Sequence, residues 1–164
     1  LPASPGTSHP LAGYFSPIFA KCRRLLGDTA AAEDVAQETI FRLWKSNLGA
    51  GTDPRTIMAW LYRTCTRLAI DELRRRRKTQ APDTPLEAVP CGVDAAACLE
   101  ARHLVARLAG SVPAEELDTV VLCRVDGLSH PEVAQVLDVS ERTVRRLLAS
   151  FDARTAPLQR EMLS

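Results

Sequence analysis

The chain has 164 residues, 46% hydrophobic and 25% charged, with 21 Lys and Arg against 20 Asp and Glu for a net charge of +1. That composition supports packed cores, in one domain or two small ones, and excludes global disorder or a polybasic coat protein. No apolar run approaches the ~20 residues of a membrane helix, and residues 1–10 carry no Lys or Arg ahead of an apolar stretch, so neither membrane insertion nor a signal peptide is expected.

Residues 1–10, rich in Pro, Ser and Gly, are expected to be loose. A first helix is predicted over 11–26, stopped by Gly27. Asp28-Thr29 open a second, which carries 32–45; Ile40, Phe41, Leu43 and Trp44 give it a broad apolar arc, with Glu38 and Arg42 on the other side. Residues 47–54 hold two glycines, an Asn, an Asp and a Pro and read as a loop. A third long helix follows, with Ile57, Leu61, Thr64, Cys65 and Leu68 at helical spacing, and it runs into Arg74, Arg75, Arg76, Arg77 and Lys78.

Three prolines in 80–90 break helix and mark a linker. This gives one helical domain at 10–79, a linker at 80–97 and a second domain at 98–164. The second domain is expected to hold a helix near 97–109, a break at 110–113, a helix over 114–125 and a turn at Asp126-Gly127. Ser129 and Glu132 have capping-box spacing, before Val133, Ala134, Val136 and Leu137. A turn at Asp138-Val139 then leads to Ser140 as the next N-cap. The sequence carries no strand pattern, so the fold is all-α: two small helical domains joined by a flexible Pro-containing linker.

Charge is unevenly spread. Residues 60–80 hold seven Lys or Arg and two acids, whereas 81–100 hold four acids and no Lys or Arg. Local sign steers a protein toward a polyanion more than the total does. The basic end of the third helix fits either a solvated terminus favoured by the helix dipole or a phosphate-tracking stripe, and charge alone does not choose. The last helix is more telling. Val144, Leu147, Leu148 and Phe151 share one face, and Arg142, Arg145 and Arg146 share the other. A capped helix, a short turn and a second capped helix with a basic outer face make a helix-turn-helix, whose arginines meet phosphates or guanine edges in a major groove.

The odd count of five cysteines, without an export signal, points to reduced thiols in the cytoplasm. Cys65 and Cys123 lie in apolar stripes as small core residues. Cys91, Cys98 and His103 lack ligand spacing, so no metal and no cofactor are expected. Paired metal-binding carboxylates, a phosphate-binding Gly loop and a nucleophile–base pattern are all missing, which argues against an enzyme.

Two separated segments carry a family resemblance. Ala32-Glu33-Asp34-Val35-Ala36-Gln37-Glu38, continuing to Phe41-Arg42-Leu43-Trp44 and preceded by Leu26-Gly27-Asp28, resembles the polymerase-binding helix of region 2 of bacterial RNA polymerase sigma factors. Trp60-Leu61-Tyr62-Arg63, with Asp71 and Leu73 to Arg77, resembles the part of region 2 that meets the −10 element. Val112-Pro113, Val121-Leu122, Asp126-Gly127-Leu128-Ser129, Glu132-Val133-Ala134 and Val139-Ser140 with Thr143-Val144 resemble region 4, the −35 reader. Two such regions and a short linker are the layout of the extracytoplasmic-function (group IV) sigma factors.

The resemblance implies a promoter-specificity subunit that binds core RNA polymerase, recognises promoter DNA and helps open it. It assigns Asp34, Gln37, Glu38, Phe41 and Trp44 to the polymerase. It assigns Asn47, Thr52 and Asp53 of the loop, Trp60, Tyr62, Arg63, Arg67, Arg74, Arg75, Arg76 and Arg77 to −10 DNA. Ser140, Arg142, Thr143, Arg145 and Arg146 would meet the −35 element. An anti-sigma protein is the expected inhibitor, and the acidic linker, with Asp83, Glu87 and Asp94, is a candidate nucleic-acid mimic. Trp60 and Tyr62 read equally well as stacking platforms or core aromatics.

The chain departs from the family pattern at Arg67, where Asn is usual, at Ile57, where an aromatic is usual, and at Leu147, where Arg is common. The tail from Asp152, with Pro157, is expected to lack the usual continuing basic helix. These departures keep open a sigma-like decoy that binds polymerase without starting transcription. A polymerase-independent helix-turn-helix regulator is the other alternative, although such a regulator would have no need of the 34–38 helix.

Overall fold

The computed structural model of the chain describes residues 11–46, 48, 51–79 and 95–162. They form seven α-helices and, among the described residues, no strand. α1 (Ala12–Leu26) buries Ile18, Cys22, Leu25 and Leu26, an i, i+4, i+7, i+8 stripe. It ends where the sequence demands. Gly27 sits at φ +72°, and its N–H bonds the Arg23 carbonyl at 2.9 Å, a left-handed cap that a side chain would strain.

α2 (Thr29–Lys45) begins at Asp28, whose carboxylate accepts from the N–H groups of Ala30 and Ala31 at 3.2 and 3.3 Å. Its buried face is Ala32, Val35, Ala36, Thr39 and Leu43; the two alanines let it pack closely on α1. α3 (Pro54–Thr79) starts with a proline, which belongs in a first turn where no intrahelical N–H bond is made. Leu61, Cys65, Ala69, Ile70 and Leu73 lock it against both earlier helices.

α4 (Ala95–Leu108) begins two residues before position 97. α5 (Ala114–Val120) starts after Pro113 and does not continue as plain α-helix through Val125. Residues Val121–Val125 are wound as a π-turn that ends in Asp126, whose N–H bonds the Val121 carbonyl at 2.9 Å. Gly127, at φ +74°, closes this end, and the Leu128 N–H reaches back to the Leu122 carbonyl at 3.0 Å. α6 (His130–Leu137) and α7 (Glu141–Met162) form the helix-turn-helix. One expectation for the tail is corrected: α7 runs unbroken through Pro157 to Met162. A proline removes only the one bond to its i−4 carbonyl; fully buried Thr155 and the Arg154–Glu116 pair hold this stretch of α7 against α5.

The two halves do not sit apart as beads on a linker. One continuous apolar core runs from Ile18, Cys22 and Leu61 through Val105, Leu117 and Val121 to Phe151. A smaller cluster, Leu122, Val133, Ala134 and Val144, lies under the helix-turn-helix, and Tyr62 of α3 packs against both. Phe151 is fully enclosed, so Phe151→Ala is expected to cost about 3–5 kcal/mol, read as a lowered urea midpoint. A loss under ~1 kcal/mol would show that α7 does not seal this core.

Candidate polymerase and nucleic-acid interfaces

Three surfaces carry the residues singled out above. The first is the outer face of α2. Asp34, Gln37, Glu38, Phe41 and Trp44 are all exposed and fall on one stripe, because their spacing follows the helical period. Phe41 is 46% and Trp44 61% exposed, and their rings stack with centroids 6.0 Å apart. The Lys45 ammonium lies 4.5 Å from the Phe41 ring centre. Gln37 donates to Glu33 at 3.3 Å, and Arg42 to Glu38 at 2.7 Å. Asp34 and Glu38 border a shallow groove whose far wall is Leu68, Asp71, Glu72 and Arg75 of α3. Two large aromatics are thus left in water beside carboxylates, and no contact within the domain covers their outer faces.

The second surface is α3 and the loop before it. Thr52 is half-buried and Asp53 exposed, while Asn47 lies outside the described residues. The basic run is not one uniform stripe. Arg75 grips Glu72 through two 2.8 Å bonds, and the Glu72 carboxyl is held below its usual range chiefly by that contact. Arg76 is largely buried; it bonds Glu72 at 2.9 Å and Asp28 at 3.1 Å, tying α3 to the α2 cap. Arg77 and Lys78 are exposed. Arg74 donates to the Ala109 carbonyl at 2.6 Å and to Asp71 at 3.1 Å, and Arg67 pairs with Asp118 at 3.3 Å. Trp60, Tyr62 and Arg63 are half-buried, and Trp60 and Tyr62 pack on the core, as the core-aromatic reading holds.

A cluster with no motif to announce it lies beside them. Lys21 of α1 pairs with Asp126, each side chain only 1% exposed, and Arg24 reaches the other oxygen of Asp126 at 3.1 Å. The Lys21 ammonium also lies 5.1 Å from the Tyr62 ring centre. Burial by itself pulls the Lys21 pKa down most strongly, but Asp126, Cys65 and Tyr62 together outweigh it and the net shift is upward. Burial raises the Asp118 carboxyl, against the pull of Arg67, Lys21 and Arg74. The available signal was Lys21 itself, a charge set at a core position between Ile18 and Leu25, which requires a buried partner.

The third surface is the outer face of α7. Arg142, Arg145 and Arg146 are exposed, opposite buried Val144, Leu147 and Phe151. Arg145 pairs with Glu141 at 3.1 Å. Ser140 works as the cap: its oxygen accepts from the Thr143 N–H at 3.1 Å and lies 3.0 Å from the Thr143 hydroxyl. Leu147, where the family often has Arg, belongs to the buried seam.

Cys22 and Cys65 face each other, Sγ to Sγ at 3.0 Å, in the first-half core; the bond to Cys65 and then burial push the Cys22 thiol up. Burial raises Cys123 to about 11. The expectation of reduced thiols is corrected at Cys98, which is disulfide-bonded. His103 is exposed on α4, and Cys91 lies outside the described residues. Among the described residues no helix is long and apolar enough to cross a membrane.

Comparison with known proteins agrees with this geometry. Residues 13–79 match the Sigma-70 region 2 family and residues 102–149 match Sigma-70, region 4. The ECF RNA polymerase sigma factor SigL of Mycobacterium tuberculosis is 34% identical over 131 residues, 76% of this chain and 72% of its own. SigW of Bacillus subtilis is 29% identical over 149 residues, 80% and 77% of the two chains. The solved structure of CnrH in complex with the cytosolic domain of CnrY shares the fold, with a TM-score of 0.55 and 24% identity over 92% of this chain and 86% of that one. The chain belongs to the extracytoplasmic-function sigma factors, the promoter-specificity subunits of bacterial RNA polymerase.

The helix-turn-helix depends on its capping box. The Glu132 carboxylate accepts from the Ser129 hydroxyl and backbone N–H, both at 2.7 Å, and these donors hold its pKa below the ordinary 4.5. A depressed carboxyl contributes stability above its unfolded pKa and loses it as pH falls through the folded one. Glu132→Ala should therefore be less stable than the wild type at pH 7, with the gap narrowing below the ordinary 4.5. Urea unfolding at both pH values reads this, and a gap that does not change with pH would remove the carboxylate from the account.

Proposed function

We propose that this sigma factor docks on core polymerase through the exposed α2 stripe, Asp34, Gln37, Glu38, Phe41 and Trp44. The observation that carries the reading is the stacked, solvent-exposed Phe41–Trp44 pair flanked by carboxylates. Aromatic anchors of this kind dominate protein interfaces. We further assign the −10 strand to the loop residues Asn47, Thr52 and Asp53 and to α3 through Trp60, Tyr62, Arg63, Arg67, Arg74, Arg75 and Arg77. Arg76 acts there as a brace, since its partners are Asp28 and Glu72. The −35 element falls to Arg142, Arg145 and Arg146, with Ser140 and Thr143 shaping the helix start. The functional units are 10–79 and 98–164, with 80–97 between them.

The chain acts by binding and positioning rather than by catalysis, and its place of action is the cytoplasm, with polymerase. CnrH, whose fold it shares, is seen with the cytosolic domain of CnrY; we infer a protein partner for this chain too, in the role of an anti-sigma factor.

Run-off transcription with purified core polymerase and a pool of promoter fragments tests the reading. Start sites that require the wild-type chain are expected. Phe41→Ala/Trp44→Ala should abolish them together with polymerase binding while the fold is kept. Transcripts undiminished by that double change would refute the docking surface. Polymerase binding without any transcript would favour a decoy, and no polymerase binding a stand-alone regulator. Arg146→Ala should cost ~1–3 kcal/mol on a matched −35 sequence if it reads a base; equal loss on scrambled DNA reduces it to a phosphate contact.

A further inference from the structure

Two thiols of the first-half core are placed as a pair. Cys22 of α1 and Cys65 of α3 are both fully buried, and their sulfurs lie 3.0 Å apart. Helical spacing sets each among apolar neighbours on its own element: Ile18 and Leu25 beside Cys22, Leu61 and Ala69 beside Cys65. A single cysteine in such surroundings is a small hydrophobe and nothing more. Two with their sulfurs facing are different, because closing the gap by about 1 Å reaches the length of a disulfide bond.

The pair is also electrically unequal. The buried Lys21 ammonium adjoins it from the residue before Cys22 and is kept charged by Asp126. The hydrogen bond with Cys22 lowers the Cys65 thiol; burial opposes this, while the Lys21 and Arg24 cations lower it further against Asp126. Cys22 is pushed up, first by that same hydrogen bond and then by burial. Cys65 is thus the sulfur that ionises and Cys22 the one that keeps its proton, the roles of an attacking and a resolving thiol. Cys123 supplies the contrast. It is only half-buried, but it stands free, and burial raises it to about 11. Exposure alone would make Cys123 the first thiol to oxidise, whereas thiolate character selects Cys65.

We propose that Cys22 and Cys65 are an oxidisable dithiol, a site of reversible modification by hydroperoxides that staples α1 to α3. Cys65 attacks as the thiolate. A sulfur–oxygen bond forms, the peroxide O–O bond breaks, and hydroxide leaves, taking up a proton to become water. Cys22 then attacks the sulfenic Cys65 sulfur. The S–S bond forms, the S–O bond breaks, and the departing hydroxide leaves with the Cys22 proton as a second water. Two electrons pass from the sulfurs to the peroxide.

Full burial selects the oxidant. Hydrogen peroxide enters through local openings far short of unfolding, and a bulky disulfide does not. The bridge closes the chain from α1 across all of α2 into α3, so it restricts the unfolded state and stabilises the folded one. Disulfides in a reducing compartment are of this transient, oxidant-answering kind. The inference is independent of the polymerase and promoter assignments, since none of those residues is a cysteine.

The test uses the full chain, reduced and then given hydrogen peroxide or a bulky aromatic disulfide in native buffer. Remaining thiols are blocked with N-ethylmaleimide in denaturant, and peptides are mapped by mass spectrometry without reduction. Peroxide should join the Cys22 and Cys65 peptides while Cys123 takes up maleimide. The thermal midpoint should rise by about 4–10 °C and return with dithiothreitol. The bulky disulfide should leave both buried thiols free. Cys22→Ala removes the resolving thiol, so dimedone should label Cys65 as its sulfenic acid, whereas Cys22 in Cys65→Ala should stay unlabelled. Both changes keep a small apolar group in the core, with helical circular dichroism as the check on folding. Should either variant fail to fold, the wild-type peptide map still decides. Four results would each overturn the proposal: oxidation of Cys123 ahead of the pair, a Cys22–Cys65 bridge that forms only in urea, a bridge that leaves the midpoint unmoved, or dimedone on Cys22 in the Cys65→Ala chain.

Discussion

The fold turns on one buried ion pair. Lys21 of α1 and Asp126 at the end of the π-turn sit in a place that would otherwise be apolar core, joining residues 105 positions apart. A charge in such a position is tolerated only when its partner arrives with good geometry. The pair therefore specifies how the second half seats on the first. Around it the apolar core closes without a seam, from Ile18 to Phe151, and Arg24, Arg67 and Arg74 line up their own contacts. The same constraint sets oxygens of the second half against Arg67 and Arg74 of α3.

The outer face of α2 is left out of this closure. Its aromatic pair and carboxylates stay in water while Arg67 and Arg74 of α3 are engaged by the second half. Arg142, Arg145 and Arg146 of α7 also remain exposed, so the contact between the two halves covers α3 rather than the outer face of the helix-turn-helix.

What was legible in the sequence was local. Gly27 as a stop, Asp28 opening α2, the Ser129–Glu132 cap and the two faces of α7 are set by residues within four positions of each other, and each stands where the pattern put it. The family resemblance rested on the same short-range motifs. The features that escaped depend on distant partners. Nothing near Arg76 says that Asp28 will take it out of solvent, and Arg67 looked like a plain departure from Asn until Asp118 was found opposite. The π-turn replaces an expected straight helix because Asp126 and Leu128 bond back five and six residues. Pro157 failed to end α7 because tertiary contacts of Arg154 and Thr155 outweighed one lost backbone bond.

The most direct test of the account is a distance between the two halves in solution. Spin labels placed through Lys45→Cys on α2 and Arg107→Cys on α4, both exposed, would be read by double electron–electron resonance in a background with Cys123 replaced. The free chain should give one narrow, short distance, which broadens when the buried pair is broken by Lys21→Met. A free chain showing a long, broad distribution would contradict the shared core and the seating of the second half by Lys21 and Asp126.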